Sequence, residues 1–253
     1  YAFAKDSKYG SAQEVFDSNR ETLNELKLDL DINYIESLES SIISKADIIT
    51  NSGHLRPLNR STLQYVKKGC VIPLMYESWE LRESDLDIEY CREKNITIGA
   101  TNERHLNINV FSYLGDMAIK QILDSGTCLY GNRFVLICNN HFGPYIAKTV
   151  SKACNGIGVI DLKERKEEYD DNIDWLSDFP EIKINDKYKD CEAIIFTAYP
   201  FDKNWIGNDQ SLITVSKLTA EFNYPYLLRY AGDIDTELSK DKSLKYFPLK
   251  VQS

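Results

Sequence analysis

The sequence predicts an α/β protein in which two parallel β-sheets follow one another along the chain. In the first half, short apolar segments alternate with segments whose apolar residues recur at helical spacing. In the second half, a buried strand at 134–138, a helix that begins at Gly143-Pro144 and a second strand at 158–160 follow one another between Leu129 and Asp161. Because parallel strands are joined by crossover helices, this alternation is typical of sheets that are covered on both faces.

Helices and strands of the first half can be placed by periodicity and capping residues. Helical spacing covers residues 11–27, 36–45, 60–68 and 83–94, with Asn59 as the candidate N-cap of the third segment. Strands are predicted at residues 28–35, 46–50, 70–75 and 96–100. Ligands bind at the carboxyl ends of strands in such sheets, so the turns that follow these strands are the places to look for a site.

The second half begins with a long apolar helix at residues 109–125, which Gly126 closes as a C-terminal glycine. After the strand–helix–strand unit, a polar stretch at residues 163–178 is interpreted as a surface helix. Further elements are a strand at 191–197, a helix at 211–222, a strand at 226–230 and a last apolar piece at 244–249.

The loop inside the strand–helix–strand unit indicates a Rossmann-type dinucleotide site with altered glycines. The three glycine positions of the fingerprint read Cys138, Asn140 and Gly143, and Asp161 ends the second strand eighteen residues after Gly143. Asparagine tolerates tight turns, and a helix that starts at Gly143-Pro144 can receive an anion. NAD is therefore a possible cofactor; the alternative is a scaffold kept for packing or assembly. The predicted cofactor-binding residues are Asn139, Asn140, His141, Phe142, Gly143, Asp161, Thr197, Tyr199 and Pro200.

Composition excludes several classes of function. A net charge of −9 with no basic stripe argues against nucleic acid as a partner, and no apolar run is long enough to predict a membrane span. The six cysteines are far apart and form no CxxC pair, so we expect reduced thiols, no metal site and a cytoplasmic protein.

From residue 46 to 249, the order of parts resembles the D-isomer-specific 2-hydroxyacid dehydrogenases. The best stretch is residues 69–105, where Asp85 to Asp87 and the segment 95–102 take the places of the acidic helix start and the "GI.V.N.P" strand and loop. The resemblance implies a flavodoxin-like substrate-side domain at 1–108, a connecting helix at 109–126 and a Rossmann-type doubly wound domain at 127–253. It also implies a homodimer that pairs through the 109–125 helix.

The residues that would carry that family's chemistry are missing from the matching positions. Gly232 stands where the family has its substrate-binding Arg, with Arg229 inside the preceding strand, and Leu249 stands where it has its His. Glu237 is only a weak match for the Glu of the Glu-His pair. Since glycine and leucine can neither bind a carboxylate nor donate a proton, either the chemistry has moved or the protein only binds a ligand.

Relocated chemistry would have to use the histidines and charged residues of other turns. His54 and His105 follow predicted strands and are the candidate acid/base residues, with Arg56 or Arg104 orienting the substrate. Glu77, in the loop 76–82, is a further catalytic candidate, although Glu77 and Glu80 would repel a carboxylate and the loop could simply be anchored by Trp79. These residues predict an NAD(P)-dependent oxidoreductase acting on a small carbonyl or hydroxyl compound. The alternative is a catalytically silent ligand-binding or assembly protein.

Overall fold

The computed structural model describes residues 1–7, 10–50, 55–74, 81, 84–201, 203–207, 211–235 and 244–248. These residues divide into two compact units, 1–108 and 109–252, and each unit is described by itself. Among the described residues, no helix combines the length and the apolar character that a membrane crossing requires.

The first unit contains short helices and short parallel strands. In chain order they are β1 (Ala2–Phe3), α1 (Ala12–Glu25), β2 (Tyr34–Ile35), α2 (Ser40–Ile43), α3 (Arg60–Leu63), β3 (Val71–Pro73), α4 (Ile88–Glu93) and β4 (Thr97–Gly99). Strand β1 pairs with β2 and β3 pairs with β4, both in parallel, while Ile48 joins the outer side of β3 through a single bridge to Val71. The predicted helix–strand alternation is therefore confirmed, but most elements are shorter than predicted.

Capping residues fix where the helices of this unit begin. Ser11 and Glu14 form a reciprocal capping box at the start of α1, and the side chains of Asn59 and Asp87 accept backbone N–H groups of α3 and α4. By contrast, the predicted strand 28–35 was too long. Leu28 and Leu30 are exposed, so only the last two residues of that segment find a strand partner.

The second unit is built around one large sheet. Its elements are a 3₁₀ turn (Val110–Ser112), α5 (Tyr113–Asp124), β5 (Phe134–Cys138), α6 (Gly143–Val150), β6 (Ile157–Asp161), a 3₁₀ helix (Lys163–Glu168), β7 (Asp174–Asp178), a 3₁₀ turn (Asp186–Tyr188), β8 (Ala193–Thr197), β9 (Asn204–Gly207), β10 (Ile213–Thr214), α7 (Val215–Glu221), β11 (Tyr226–Ala231), β12 (Asp233–Ile234) and β13 (Lys245–Phe247). The six-stranded sheet runs β13-β11-β8-β5-β6-β7 and every neighbouring pair is parallel. A small parallel sheet, β10-β9-β12, stands beside it.

The strand order reverses between β5 and β8. From β5 the chain adds β6 and β7 on one side, and it then returns to add β8, β11 and β13 on the other, which is the doubly wound arrangement. Every residue of β5, β6 and β8 is buried, as their continuous apolar sequences indicate for strands covered on both faces. The carboxyl ends of β5 and β8 therefore lie side by side at the point where ligands bind in sheets of this kind.

The interpretation of residues 163–178 as one surface helix was wrong. A 3₁₀ helix covers Lys163–Glu168, and the segment then extends as the edge strand β7. The reason is tertiary: β7 finds its partner in β6, and the Trp175 ring contacts the Tyr169 ring at a centroid distance of 5.8 Å. Likewise, the predicted helix 211–222 begins as strand β10, and Thr214 caps the shorter helix α7.

Candidate functional site

Two asparagines fasten the loop after β5 to the end of β8. The Asn139 Nδ2 donates to the Tyr199 carbonyl at 3.0 Å, and the Tyr199 amide donates to Asn139 Oδ1 at 2.7 Å. The Asn140 Nδ2 donates to Thr197 Oγ1 at 3.0 Å, and Thr197 is fully buried. The structure thus brings together the predicted cofactor residues of two separate loops, and it joins them directly to each other across the switch point.

The amides of this loop are bound within the loop itself. Asn140 Oδ1 accepts the Phe142 amide at 2.9 Å, and the Asn140 amide lies 3.3 Å from the Cys138 Sγ. The Gly143 amide also faces that sulfur. Burial raises the pKa of the Cys138 thiol, and the nearby Asp161 charge raises it further, so the sulfur accepts these bonds as a neutral thiol.

Asp161, the predicted ribose acid, is fully buried at the end of β6. Its carboxylate accepts hydrogen bonds from the Leu162 amide at 2.7 Å, the Arg165 Nε at 3.1 Å and the Tyr169 hydroxyl at 2.5 Å. Burial raises the pKa of the carboxyl, and these donors together with the Arg165 charge oppose that effect. A ribose hydroxyl would therefore have to displace a donor that belongs to the chain.

Arg165 extends this network to the loop after β5. Its Nη1 lies 2.8 Å from His141 Nδ1 and its Nη2 donates to Glu168 Oε2 at 3.1 Å. Only 6% of the Arg165 side chain is exposed. The sequence interpretation did not single out Arg165 or Tyr169; the signal that points to Arg165 is its position four residues after Asp161.

The start of helix α6 is closely covered. A Cβ added to Gly143 would lie 2.2 Å from the Tyr169 hydroxyl and 2.7 Å from the Cys138 Sγ, so only glycine fits there. The Tyr169 hydroxyl therefore lies against the helix N-terminus, where an anion would approach in a dinucleotide site.

A dinucleotide needs free loop amides for its pyrophosphate and a free carboxylate for its ribose. In the described arrangement the Asn140, Phe142 and Gly143 amides and the Asp161 carboxylate are all engaged within the chain. These residues do not fit NAD as they stand, because the Asn140 carboxamide would first have to leave the Phe142 amide. The assignment of the nine predicted residues to cofactor binding stays a prediction.

The remaining predicted cofactor residues take part in packing. The Phe142 ring contacts the rings of Phe111 and Phe201 at centroid distances of 5.6 and 5.7 Å. The Pro200 carbonyl accepts a hydrogen bond from the Trp205 Nε1 at 2.8 Å. Both residues therefore help to hold the two loops in place.

The structure leaves no room for a side chain at Gly232, the position where the family that the sequence resembles has its substrate-binding Arg. Gly232 has φ +95°, and a Cβ there would lie 2.8 Å from the Ala198 carbonyl oxygen. A side chain at this position would be strained and would collide with the backbone that follows β8. Arg229, the neighbouring candidate, has its carbonyl bound by the Gln121 Nε2 at 2.7 Å.

Several predicted catalytic residues lie in the first unit. The Arg56 Nη1 is 3.7 Å from the Asp85 carboxylate, and the Arg56 carbonyl accepts from Lys5 Nζ at 2.8 Å. Arg104 and His105 lie in an exposed turn, where His105 Nδ1 accepts the Asn107 amide at 3.3 Å. His54, Glu77, Glu237 and Leu249 lie outside the described residues. The catalytic roles of Arg56, Arg104, His105, His54 and Glu77 therefore stay predictions.

No protein-family model matches the sequence, and no curated protein is significantly similar to it. Solved structures are similar at low identity. The NAD-dependent formate dehydrogenase from Staphylococcus aureus, in complex with NAD, has a TM-score of 0.50 at 11% identity, covering 96% of this chain and 78% of its own. A D-isomer-specific 2-hydroxyacid dehydrogenase from Lactobacillus delbrueckii ssp. bulgaricus, in an NAD-complexed form, has a TM-score of 0.49 at 13% identity, with coverages of 96% and 78%. The A chain of dipicolinate synthase from Bacillus subtilis has a TM-score of 0.49 at 12% identity, with coverages of 97% and 85%.

The formate dehydrogenase likeness establishes the fold. It is an α/β fold with the parallel sheets described above. The resemblance to 2-hydroxyacid dehydrogenases that the sequence predicts is therefore confirmed as a likeness of fold. Since one fold carries many functions, activity has to be argued from the site.

Thiol reactivity tests the described environment of Cys138. We expect iodoacetamide to alkylate Cys128, which is exposed, and to leave Cys138 unmodified in the native protein. The reason is that Cys138 is buried, so the reagent cannot reach it, and that its pKa is raised, so the reactive thiolate does not form. Peptide mass spectrometry measures both sites, and full unfolding in urea before alkylation is the control in which both must react.

Proposed function

We propose that this protein is a Rossmann-type ligand-binding or assembly protein in which internal hydrogen bonds take the place of a bound dinucleotide. The observation that carries the proposal is the Asn140 carboxamide, which holds the Phe142 amide at 2.9 Å and the Thr197 hydroxyl at 3.0 Å. A buried polar network that is fully satisfied costs free energy to open, because each group must lose its partner before a ligand can replace it.

The Asp161 network supports the same proposal. Arg165 and Tyr169 donate to Asp161 the hydrogen bonds that ribose hydroxyls would donate in a dinucleotide site. Asp161 is fully buried. Cofactor chemistry would also need a cation for the substrate and a proton donor of near-neutral pKa. The conformation of Gly232 leaves no room for the cation at that position.

A second candidate function is an NAD(P)-dependent oxidoreductase that acts on a small carbonyl or hydroxyl compound. It is favoured by the strand order, which places the β5 and β8 loops at the switch point, and by the fold of an NAD-complexed dehydrogenase. In this case, Asn140 would swing aside when NAD binds. His105 would act as acid or base, with Arg104 or Arg56 orienting the substrate.

The predicted homodimer through the 109–125 helix is a further proposal. Helix α5 exposes the apolar side chains of Tyr113, Met117 and Leu123, in addition to the face that packs against its own unit. Exposed apolar side chains on one helix are suited to contact with a second copy of the chain. This would account for an assembly role.

Titration with NADH, followed by nicotinamide fluorescence, separates the two candidate functions. We expect no saturable binding by the wild-type protein up to about 1 mM NADH, which corresponds to about −4 kcal/mol of binding free energy. Asn140→Gly frees the Phe142 amide and restores a fingerprint glycine, so we expect NADH to bind it at least about fivefold more tightly, the worth of roughly one hydrogen bond.

Asn155→Gly is the matched control. Asn155 is an exposed asparagine just before β6, so it lies at the amino ends of the strands, whereas Asn140 lies at their carboxyl ends. It should bind NADH no better than the wild type. Saturable binding of NADH to the wild type with a Kd below about 100 μM would contradict the proposal and favour the oxidoreductase. Equal binding by the wild type and Asn140→Gly would show that Asn140 does not block the site.

A further inference from the structure

A cavity of about 660 Å³ lies within the first unit. We call it the edge cavity. It is bordered by β1, helix α1 and residues 45–50, and its walls include Phe3, Phe16, Leu38, Ile43, Ile48 and Ile49. The walls are mainly apolar, and Ile48 is 63% exposed although it lies beside a strand. A cavity of this size is in the range of ligand sites in proteins.

Two strand segments that border this cavity each have one edge whose backbone groups are unpaired among the described residues. Ala2 and Ala4 donate to the carbonyls of Asn33 and Ile35, so the N–H and C=O of Phe3 point away from β2. Asp47 and Ile49 exchange hydrogen bonds with Val71, so the N–H and C=O of Ile48 point away from β3.

Phe3 and Ile48 both line the edge cavity. Within the part of the chain that the structure describes, neither has a strand partner on its outer side. The first unit thus has two parallel sheet fragments with a cavity bordered by the free edge of each.

The backbone groups indicate what kind of ligand would fill the cavity. A purely aliphatic molecule would bury the Phe3 and Ile48 amides and carbonyls without hydrogen bonds, which is unfavourable for each group. An extended peptide has donors and acceptors on both of its edges and can pair with each fragment while its side chains fill the apolar walls.

The charged side chains at the cavity indicate which peptides it would favour. Asp47 is held by Lys67, with 2.6 Å between Oδ1 and Nζ. Lys45 also lines the cavity and is exposed, and within the described ranges its ammonium group has no ion-pair partner. A ligand that carries an acidic group near Lys45 is therefore favoured.

We propose that the edge cavity binds an extended segment of another protein, with alternating apolar side chains and an acidic side chain near Lys45. The segment adds a strand between β1 and residues 47–49. This proposal goes beyond the proposed function, because it depends on the first unit alone and stands whether or not the second unit binds NAD.

Fluorescence anisotropy of a labelled peptide tests this proposal on the full chain. The probe is fluorescein-TVEVTV-amide, and we expect saturable binding. Ile48→Pro removes the N–H that points away from β3, and we expect it to weaken binding by about tenfold. The matched control is Ile88→Pro, because Ile88 is a partly exposed isoleucine at the first position of α4, where proline is tolerated, and it does not line the cavity.

Two further arms make the outcome decisive. Lys45→Glu should weaken binding of the acidic probe by about fivefold, since a favourable charge contact becomes a repulsive one. The same peptide with N-methyl groups on alternate residues keeps its side chains but loses the donors of one edge, so it should not bind the wild type. This arm remains informative if Ile48→Pro fails to fold.

Three results would overturn the proposal. The first is no saturable binding of the probe, and the second is equal binding of the N-methylated peptide. The third is that decanoate displaces the probe and binds the protein more tightly than the peptide does. The first or second result would exclude strand addition, and the third would assign the cavity to aliphatic acids instead.

Discussion

Arg165→Ala is expected to lower the free energy of unfolding by about 3–5 kcal/mol, because it leaves the Asp161 carboxylate buried without its cation. Asp161 is fully buried and 6% of the Arg165 side chain is exposed, so water cannot replace the lost partner. Arg165 also contacts His141 and Glu168, and both contacts are lost with it. Urea unfolding, followed by far-UV circular dichroism, measures the difference.

Arg20→Ala is the control for this experiment. Arg20 forms an ion pair with Asp17 at 2.8 Å, but both side chains are about half exposed, so we expect a loss of less than about 1 kcal/mol. A combined Arg165→Met and Asp161→Asn variant removes both charges and should recover much of the stability lost in Arg165→Ala. A loss below about 1 kcal/mol for Arg165→Ala would contradict the buried network, because a buried pair of this kind costs more to break.

Gly115→Ala is expected to destabilise the protein by about 2 kcal/mol or more, although alanine is the better helix former by about 1 kcal/mol. Gly115 lies where α5 crosses α6. A Cβ there would lie 2.2 Å from Thr149 Oγ1, 2.3 Å from Thr149 Cβ and 2.9 Å from the Tyr145 carbonyl oxygen. Because a backbone atom is among these neighbours, the helices have to move apart, and their contact with the sheet weakens.

A double-mutant cycle with Thr149→Gly isolates this contact. Thr149→Gly removes both side-chain atoms that the new methyl group would meet, so Gly115→Ala should cost at least about 1 kcal/mol less in that background. Thermal unfolding of the four proteins gives the coupling free energy. Additive effects would mean that the helices do not meet at Gly115 and Thr149.

The central part of the fold could be predicted from local sequence. The apolar run Phe134–Cys138, the helix start at Gly143-Pro144 and the second apolar run ending at Asp161 gave the bounds of β5 and β6 and the start of α6 within one residue of those observed. These signals are reliable because strands buried on both faces must be apolar throughout and because proline at a helix start needs no N–H partner.

Elements that depend on a distant partner could not be predicted in the same way. The strand β7 was interpreted as part of a helix, since its sequence is acidic and polar and only the edge of β6 makes it extended. The small strands β9, β10 and β12 have no clear pattern of their own, because two to four residues carry too little periodicity to distinguish a strand from a loop.

In the candidate site, too, local features could be predicted from the sequence, whereas contacts between distant segments could not. The sequence identified the loop 139–143 and Asp161, because their spacing after the strands is local information. It could not show that Asn140 reaches Thr197, or that Arg165 and Tyr169 turn back onto Asp161, since these contacts join separate loops. Whether a polar residue is free for a ligand depends on which neighbours the fold supplies.

The sequence by itself determined the α/β class, the parallel strand–helix–strand unit and the loss of the expected Arg and His, since composition and short-range spacing carry this information. The tertiary structure alone decided that the predicted dinucleotide groups bind one another and that, among the described residues of the first unit, two strand edges have no partner. The physical reason is that hydrogen-bond partners and strand neighbours are chosen by proximity in space, which a local pattern of residues does not encode.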